Sequence, residues 1–390
     1  AASVQDRVVA DVPLGVFLSG GLDSSLIAAL AARAVPDLSA LSVRIGGERF
    51  DETPHAVEVA RHLGLRHEIV DLDEYDLRAA FEAVSEKLGE PLADSSLLPS
   101  WLLCRSARRT MTVALGGDGA DELFLGYPNF AMQRFAGALR LVPGGLAAPV
   151  ARLMTALPGD ERYMNRRFLA TQLAQGFGAM PARQSFLWMA PFGPARMAAL
   201  WQPGAASSDD MLDAAFAPID ARAAEAQDVG AVERLAHQFL TTYLPEDILA
   251  KTDRASMFTS LEMRAPFLGR ALAEYACSLP LDLKLRGGVR KYILKQLARR
   301  YLPEAIIHRK KHGFAVPIGA LIRTLFRDRC RDTLMSAANP VASWFRRDAI
   351  EALWREHESG RFDHGKKLWT LFILFTVAGR QRDRRVAQAA

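Results

Sequence analysis

The sequence contains little that would support a disulfide framework, a metal centre built on cysteine, or a membrane span. It has only three cysteines in 390 residues, Cys104, Cys277 and Cys330, and no two of them show C-x-x-C spacing. No apolar run is long enough to cross a bilayer, and no signal peptide is recognisable. We therefore expect reduced thiols, a cytoplasmic location and no membrane partner.

Basic residues are in excess, but they lack the arrangement of a nucleic-acid site. Lys and Arg total 49 against 44 Asp and Glu, which gives a net charge of +5. No basic run is interleaved with aromatic residues, as it is in many nucleic-acid-binding surfaces. We expect a solvated basic surface or a pocket for an anionic nucleotide, and no nucleic-acid partner.

Length and hydrophobic patterning predict an α/β fold in two parts. Residues 1–130 alternate short apolar runs with helical patterns, which predicts a parallel sheet flanked by helices. The predicted strands are VPLGVFL, LSALSVRI, HEIVDL and MTVALGG. Over residues 131–390 strand signals are scarce, so we predict a mostly helical subdomain. Ligands bind at the carboxyl ends of parallel strands, where Ser19, Gly46 and Gly116 follow three of these strands.

The first candidate site is the glycine loop SGGLDSS, between the first predicted strand and a helix. Gly20 and Gly21 allow main-chain N–H groups to approach phosphate oxygens, and the helix N-terminus adds positive charge. Ser19 and Ser24 can donate further hydrogen bonds. The loop lacks the lysine of G-x-x-x-x-G-K-[ST] and the spacing of G-x-G-x-x-G, which disfavours a Walker-type NTPase and a dinucleotide fold. Asp23 suggests a bridging Mg²⁺, although it could instead be the N-cap of an ordinary turn.

A second loop, ALGGDGADELFLGY over residues 114–127, carries three acids among glycines. Asp118, Asp121 and Glu122 could hold Mg²⁺, hydrogen-bond an ammonium group or act as a base. Acids are also common at helix N-termini for purely electrostatic reasons. The glycines on both sides of Asp118 favour close approach of a ligand.

Both loops resemble those of one family. SGGLDSS resembles the pyrophosphate loop (PP-loop) of the N-type ATP pyrophosphatases. The second loop resembles S-G-[ED]-G-[SAG]-D-E-[LV]-F-x-G-Y in the synthetase domain of glutamine-dependent asparagine synthetases. The resemblance extends to EPLADSSLLPSWLL (90–103), to residues 244–295 and to RKKHGFAVPI (309–318), and covers roughly residues 8–325. It implies an adenine nucleotide alpha hydrolase-like core over residues 1–130, with residues 131–390 completing the active site.

The resemblance also implies a set of site residues, matched position by position. Those that would line the adenosine pocket are Phe17, Leu18 and Val43. Those that would bind the nucleotide through the backbone are Gly116 and Gly117. Those that would hold pyrophosphate are Ser19, Gly20, Gly21, Asp23 and Ser24, with Mg²⁺ on Asp23 and Asp121. Lys291 matches the family's catalytic lysine and would supply the cation that the loop lacks; without the resemblance it would be interpreted as a solvated helix lysine.

Asp118 indicates the branch of the family. Asparagine synthetases carry an acid here, and the β-lactam synthetase branch carries a tyrosine used as part of its base, so Asp118 favours an ammonia-accepting enzyme. There are two departures from the family: Gly116 replaces the usual serine, and Leu125, at the variable position of the pattern, replaces a glycine. Five further matches are assigned to scaffolding the cleft: Lys251, Asp253, Arg254, Glu262 and Arg264.

The implied reaction is ATP-dependent amidation of a carboxylate that forms AMP and pyrophosphate, with aspartate, ammonia and ATP as the expected reactants and Mg²⁺ as the expected cofactor. In the family, ammonia comes from an N-terminal glutaminase domain, which we expect to be absent from this chain; a separate glutaminase subunit and an oligomer are left open. The main alternative is an amide-forming synthetase for a sugar acid or peptide, of the polysaccharide amidotransferase or lasso-peptide cyclase type. The intact acids and Lys291 argue against a non-catalytic relative, and the match at 244–295 argues against a tRNA-modifying pyrophosphatase.

Overall fold

The structure is a computed structural model that describes residues 1–45, 51–146, 149–150, 153, 172–202, 208–309 and 316–389. Gly46, predicted to follow a strand at the ligand-binding edge, lies outside these residues, as does most of the segment 309–318. No helix within the described ranges is both long enough and apolar enough to cross a membrane.

Five parallel strands form the central sheet, in the order β3-β2-β1-β4-β5. They are β1 (Leu14–Phe17), β2 (Ser39–Ile45), β3 (Arg66–Leu72), β4 (Val113–Leu115) and β5 (Glu262–Arg264). The chain builds outward from β1 on one side and then returns to its other side with β4. This reversal of strand order opens a crevice at the carboxyl ends of β1 and β4, where both glycine-containing loops begin.

Burial explains why the four N-terminal strands can be predicted. β4 is buried along its whole length, and Val16 of β1 is fully buried, as expected for parallel strands covered on both faces. The register pairs Gly15 with Ala114 and Val16 with Leu115, so the two strands end side by side. All four predicted strands are confirmed, with bounds within a few residues of the apolar runs.

The fifth strand was not predicted. β5 has only three residues, two of them charged, and it forms because β4 offers a free edge for pairing. It belongs to the part of the chain predicted to be mostly helical, so one strand of that part completes the nucleotide-type sheet. The division near residue 130 remains a prediction.

A small hairpin was also missed. β6 (Leu285–Arg286) and β7 (Val289–Arg290) pair antiparallel across a two-residue turn. Gly287 and Gly288 both have positive φ, 55° and 81°, which suits the tight turn of such a hairpin. The hairpin ends directly before Lys291 and therefore fixes where that residue enters the site.

The remaining elements are helices on both faces of the sheet and in the C-terminal part, as predicted. The described α-helices are α1 (Ala2–Gln5), α2 (Leu22–Ala31), α3 (Thr53–Leu63), α4 (Glu74–Lys87), α5 (Leu97–Ala107), α6 (Ala120–Leu123), α7 (Pro128–Met132), α8 (Ala136–Arg140), α9 (Pro181–Met189), α10 (Pro194–Leu200), α11 (Ser208–Glu225), α12 (Ala231–Gln238), α13 (Ala250–Met257), α14 (Arg270–Ser278), α15 (Leu281–Lys284), α16 (Tyr292–Ala298), α17 (Glu304–Ile307), α18 (Ile318–Arg323), α19 (Arg327–Met335), α20 (Arg347–Glu358) and α21 (Gly365–Ala389). A π-helix, Phe239–Leu249, joins α12 to α13 and contains Pro245.

The aromatic core ties the sheet layer to the C-terminal helices. Phe81 on α4 is 1% exposed and stacks on Phe372 of α21 with ring centroids 4.8 Å apart. It also lies 5.2 Å from Phe326 and 5.8 Å from Trp369, measured between centroids. One side chain from the first part of the chain is therefore enclosed by side chains from the last part.

Truncating this side chain should loosen that contact. We expect Phe81→Ala to lower the free energy of unfolding by about 3–5 kcal/mol, because it removes a fully buried ring from a packed aromatic cluster. Urea unfolding followed by circular dichroism measures the change. Tyr75→Ala is the control, since Tyr75 lies on the same helix with 78% exposure and should change stability by no more than about 0.5 kcal/mol. Equal effects of the two substitutions would contradict this assignment of the core.

Candidate active site

The glycine loop turns sharply between β1 and α2. Gly20 has φ +66°, and a Cβ there would lie 2.6 Å from the main-chain nitrogen of Ala56, so a side chain does not fit. Gly21 is the N-cap of α2 in an extended conformation, and no side chain caps this helix end. Asp23 lies in the first turn, and the alternative that it is the N-cap is wrong. The N-terminus of a ten-residue helix thus opens at the crevice.

Two hydroxyl groups hold this loop in shape. The Oγ atoms of Ser19 and Ser24 are 3.0 Å apart. Ser24 Oγ also donates to the carbonyl of Gly21, and the N–H of Ser19 donates to Ser24 Oγ, both at 3.3 Å. The predicted phosphate-binding serines are therefore close together at the loop surface. Their role in binding pyrophosphate stays a prediction.

The second loop packs directly against the first. A Cβ at Gly117 would lie 3.2 Å from Asp23 Cβ and 3.3 Å from the main-chain nitrogen of Ser24. Gly119 has φ +87° at the N-cap of α6, and a Cβ there would lie 2.2 Å from Leu268 Cδ2. Glycine at these two positions lets the backbone pass close to α2 on one side and to the 3₁₀ turn Pro266–Leu268 on the other.

Lys291 joins the two loops. Its Nζ lies 2.6 Å from Asp23 Oδ2 and 2.7 Å from Asp121 Oδ1, and the residue is 6% exposed. Three predicted site residues, separated by up to 268 positions in the chain, therefore meet in one buried ion-pair cluster. Charge-assisted hydrogen bonds of this length are strong in a site shielded from water.

The backbone around this cluster is strained. Lys291 and Leu125 both have φ in the left-handed region, 53° and 58°, which costs of order 1 kcal/mol each for residues other than glycine. The N–H of Lys291 donates to the carbonyl of Phe124 at 3.2 Å, and Arg290 Nη1 donates to the carbonyl of Gly126 at 2.5 Å. The positive φ of Leu125 is a conformation that glycine adopts at lower cost.

Glu122, one of the three candidate acids of the second loop, forms a buried pair with Tyr127 that the sequence did not indicate. Tyr127 Oη donates to Glu122 Oε1 at 2.6 Å, and Glu122 is 1% exposed. Burial raises the pKa of Glu122 from its ordinary 4.5 to about 7, although the hydrogen bond from Tyr127 opposes the shift. Both residues stand in the motif DELFLGY, but the letters alone do not indicate that they would be buried together.

Asp118 belongs to a second polar cluster. Thr252 Oγ1 donates to Asp118 Oδ2 at 3.4 Å, and the neighbouring Lys251 pairs with Asp94 at 3.2 Å. Burial alone would raise the pKa of Asp94, but the Lys251 ammonium and hydrogen bonds from Ser96 lower it overall. Lys251, predicted as a scaffolding residue, thus connects α13 to the segment before α5.

Other predicted scaffolding residues also make ion pairs. Arg254 pairs with Glu90. Arg264 Nε lies 2.6 Å from Glu262 Oε1, and Arg264 Nη1 donates to the carbonyl of Val9 at 2.8 Å. Arg254 thus ties α13 to the segment before α5, and Arg264 ties β5 to the N-terminal segment.

The residues predicted to line an adenosine pocket do not all face the same way. Phe17 and Val43 are partly buried against the core cluster that contains Phe81 and Trp369. Leu18 is 2% exposed and packs in the cluster on the other side of the sheet, with its N–H donated to the carbonyl of Leu41 at 3.0 Å. The adenosine-binding role of all three residues stays a prediction.

The acids of the two loops fit Mg²⁺ that arrives with phosphate. Asp23 and Asp121 direct carboxylate oxygens at the same ammonium group, so their charges already converge on one cation. In proteins Mg²⁺ is commonly held by one or two carboxylates together with substrate phosphates. Across the described ranges, no group of three or more His, Cys, Asp or Glu side chains forms a metal cage. The arrangement suits a nucleotide-bound cation better than an all-protein site.

The model of the asparagine synthase family matches residues 1–378. The chain belongs to this family. It is 28% identical over 377 residues to asparagine synthetase (glutamine-hydrolyzing) 1 of Bacillus subtilis strain 168, covering 95% of this chain and 56% of the relative. It is 33% identical over 379 residues to a putative asparagine synthetase (glutamine-hydrolyzing) of Mycobacterium bovis, covering 95% and 55%. It is 24% identical over 366 residues to amidase chyE of Penicillium rubens, covering 81% and 51%. The chain spans about half the length of these curated relatives.

A side chain at Gly126 should disturb the cluster in this asparagine synthase family member. A Cβ there would lie 1.9 Å from Asp121 Oδ1 and 2.1 Å from Lys291 Cε. We expect Gly126→Ala to lower the free energy of unfolding by about 1–3 kcal/mol, because both side chains must move. Urea unfolding provides the measurement. Gly137→Ala is the matched control, because its Cβ would meet nothing within 4 Å on helix α8 and should be neutral or stabilising.

The buried carboxyl of Glu122 should make stability depend on pH. Because the folded state holds this proton more tightly than the unfolded chain, its contribution to the free energy of unfolding should fall by about 2–3 kcal/mol as pH rises from 4.5 to 7. Glu122→Gln keeps an acceptor for Tyr127 but cannot ionise, so it should lack this decline. Unfolding free energies of both proteins at pH 5 and pH 8 test the point. A difference between them that is constant with pH would contradict it.

Proposed function

We propose that this chain is the synthetase part of a ligase that converts a carboxylate to an amide and forms AMP and pyrophosphate, most simply aspartate to asparagine. The observation that carries the proposal is the Lys291 ammonium between Asp23 of the glycine loop and Asp121 of the acidic loop. This ammonium places a buried cation beside the glycine loop, which has no lysine of its own to balance phosphate charge. Membership of the asparagine synthase family supports the same chemistry.

The glycine loop would bind the pyrophosphate portion of ATP. Main-chain N–H groups at the start of α2, the helix N-terminus and the hydroxyls of Ser19 and Ser24 all favour an anion. The adenosine would lie towards Phe17, Leu18 and Val43, near the carboxyl ends of β1 and β2. The backbone of Gly116 and Gly117 would contact the nucleotide from the neighbouring strand end.

In the first step, a carboxylate oxygen of the substrate attacks the α-phosphorus of ATP. A bond forms between the carboxylate oxygen and the α-phosphorus. The bond from the α-phosphorus to the oxygen that bridges the α- and β-phosphates breaks. The electron pair leaves with pyrophosphate, and Lys291 stabilises the developing charge. Mg²⁺ held by Asp23 and Asp121 would neutralise further phosphate charge when bound. The products are an acyl-adenylate, β-aspartyl-AMP if aspartate is the substrate, and pyrophosphate.

In the second step, ammonia attacks the acyl carbon, AMP leaves and one proton is lost from nitrogen. Asp118 would orient the nucleophile or accept that proton, from its place beside Thr252. The relatives' names include glutamine hydrolysis, so a glutaminase domain or subunit is the proposed source of ammonia. We place the reaction in the cytoplasm.

A second carboxylate class remains an alternative. One relative is named amidase chyE and not asparagine synthetase, so the names of the relatives are not confined to asparagine synthesis. A sugar acid or a peptide carboxylate would then replace aspartate. The chemistry of the first step would be unchanged, because any carboxylate oxygen can attack the α-phosphorus; only the part of the site that binds the carboxylate substrate would differ.

ATP–pyrophosphate exchange tests the proposal directly. Purified chain is incubated with ATP, Mg²⁺ and labelled pyrophosphate, together with aspartate, glutamate, a uronic acid or a peptide. We expect label to enter ATP only in the presence of the true carboxylate, and aspartate is the expected one. Exchange with the sugar acid or the peptide alone would replace aspartate by the alternative class. A chain that gives no exchange with any carboxylate would refute the proposed function.

Removing the buried ammonium should abolish this exchange. We expect Lys291→Ala to reduce the exchange rate at least about 100-fold, because it removes the cation that stabilises the leaving pyrophosphate. Lys295→Ala, one turn later on α16, changes the net charge equally and should retain most activity. Near-UV circular dichroism establishes that both variants are folded. Near-normal exchange in a folded Lys291→Ala protein would exclude the proposed role.

A further inference from the structure

Arg309 follows helix α17, about 290 positions after the glycine loop in the chain, and contacts that loop. Its Nη1 donates to the main-chain carbonyls of Ser19 and Gly20 at 3.4 Å and 3.1 Å. Its Nη2 pairs with Oε1 of Glu52, the residue directly before α3. The guanidinium thus links three separate segments: the loop, the start of α3 and the chain after α17.

This contact is mostly shielded from water. The Arg309 side chain is 10% exposed and that of Glu52 is 16% exposed, unlike the surface arginine–glutamate pairs on the C-terminal helices. A shielded guanidinium that donates through two of its nitrogens to separate partners restricts both itself and the groups it contacts. Gly20 is also confined on another side, because it packs closely against the main chain of His55 and Ala56.

The direction of the two carbonyls determines what the loop offers to a ligand. The described peptide bonds are all trans, so the C=O and N–H of each peptide unit point in roughly opposite directions. With the carbonyls of Ser19 and Gly20 turned to Arg309, the N–H groups of Gly20 and Gly21 face away from it, and the N–H of Gly21 donates to Ser19 Oγ at 3.3 Å on that side. Carbonyl oxygens on the ligand side would repel an anion, whereas N–H groups there attract one.

We propose that Arg309 is a positioning residue of the pyrophosphate site: by holding the two carbonyls, it keeps the N–H groups of the loop directed at the anion. Glu52 in turn keeps the guanidinium in place. The identity of the ligand rests on the proposed function. Arg309 itself acts through the loop and does not need to touch the phosphate.

The test compares binding of two ligands that share the crevice but differ at the loop. Isothermal titration calorimetry measures binding of Mg-pyrophosphate and of AMP to the wild type and to Arg309→Ala. We expect the variant to bind Mg-pyrophosphate about tenfold or more weakly, with AMP affinity changed less than about twofold. Arg309→Lys should recover part of the loss, because an ammonium can still donate to a carbonyl but cannot bridge to Glu52 as a fork does. Arg347→Ala, which removes an arginine from the exposed pair with Glu351, should bind both ligands as the wild type does.

Several results would overturn the inference. Equal weakening of AMP and pyrophosphate binding would mean that Arg309 only supports the fold of the crevice. Unchanged pyrophosphate binding in a folded Arg309→Ala protein, or a wild type that does not bind Mg-pyrophosphate, would also refute it. The proposed function fails by a different result: a wild type that binds Mg-pyrophosphate but shows no exchange with any carboxylate. In that case the binding comparison still decides the role of Arg309.

Discussion

The buried ammonium of Lys291 between two carboxylates is the interaction on which the candidate site depends. Asp23 and Asp121 would repel each other in a site shielded from water if no cation stood between them. Because the three residues come from α2, α6 and the residue before α16, their ion pairs join both loops to the C-terminal part. Removing one partner from such a cluster typically costs about 3–5 kcal/mol, since it leaves a buried charge unpaired. The same contacts that hold the loops together therefore place a cation at the strand ends.

Much of the fold could be predicted from the sequence because its signals are local. Parallel strands covered on both faces appear as continuous apolar runs, and α3 ends at the left-handed Gly64, as helices commonly end at glycine. β5 could not be predicted, because a three-residue strand with two charged residues forms only through its pairing with β4. The hairpin before Lys291 was missed because it lies within residues 131–390, which were predicted to be mostly helical.

Local motifs also decide which parts of the candidate site the sequence indicates. The glycine loop and the acidic loop are contiguous motifs, so the sequence alone indicates them. Lys291 was indicated only by resemblance, because nothing local distinguishes a buried lysine from a solvated one. Arg309 lay inside a matched segment without a role, since its contact with Ser19 and Gly20 spans about 290 positions of chain. The burial that shifts the pKa of Glu122 is likewise a tertiary property.

The acidic loop is built to serve two clusters at once. Asp118 and Asp121 are three residues apart, yet one meets Thr252 of α13 and the other meets Lys291. Gly119 between them has φ +87°, and this turn separates the directions of the two carboxylates. Under the proposed function, charged groups would stand on both sides of the reacting carbon. The segment from the end of β4 into α6 carries both carboxylates, and β5 pairs with β4 next to it.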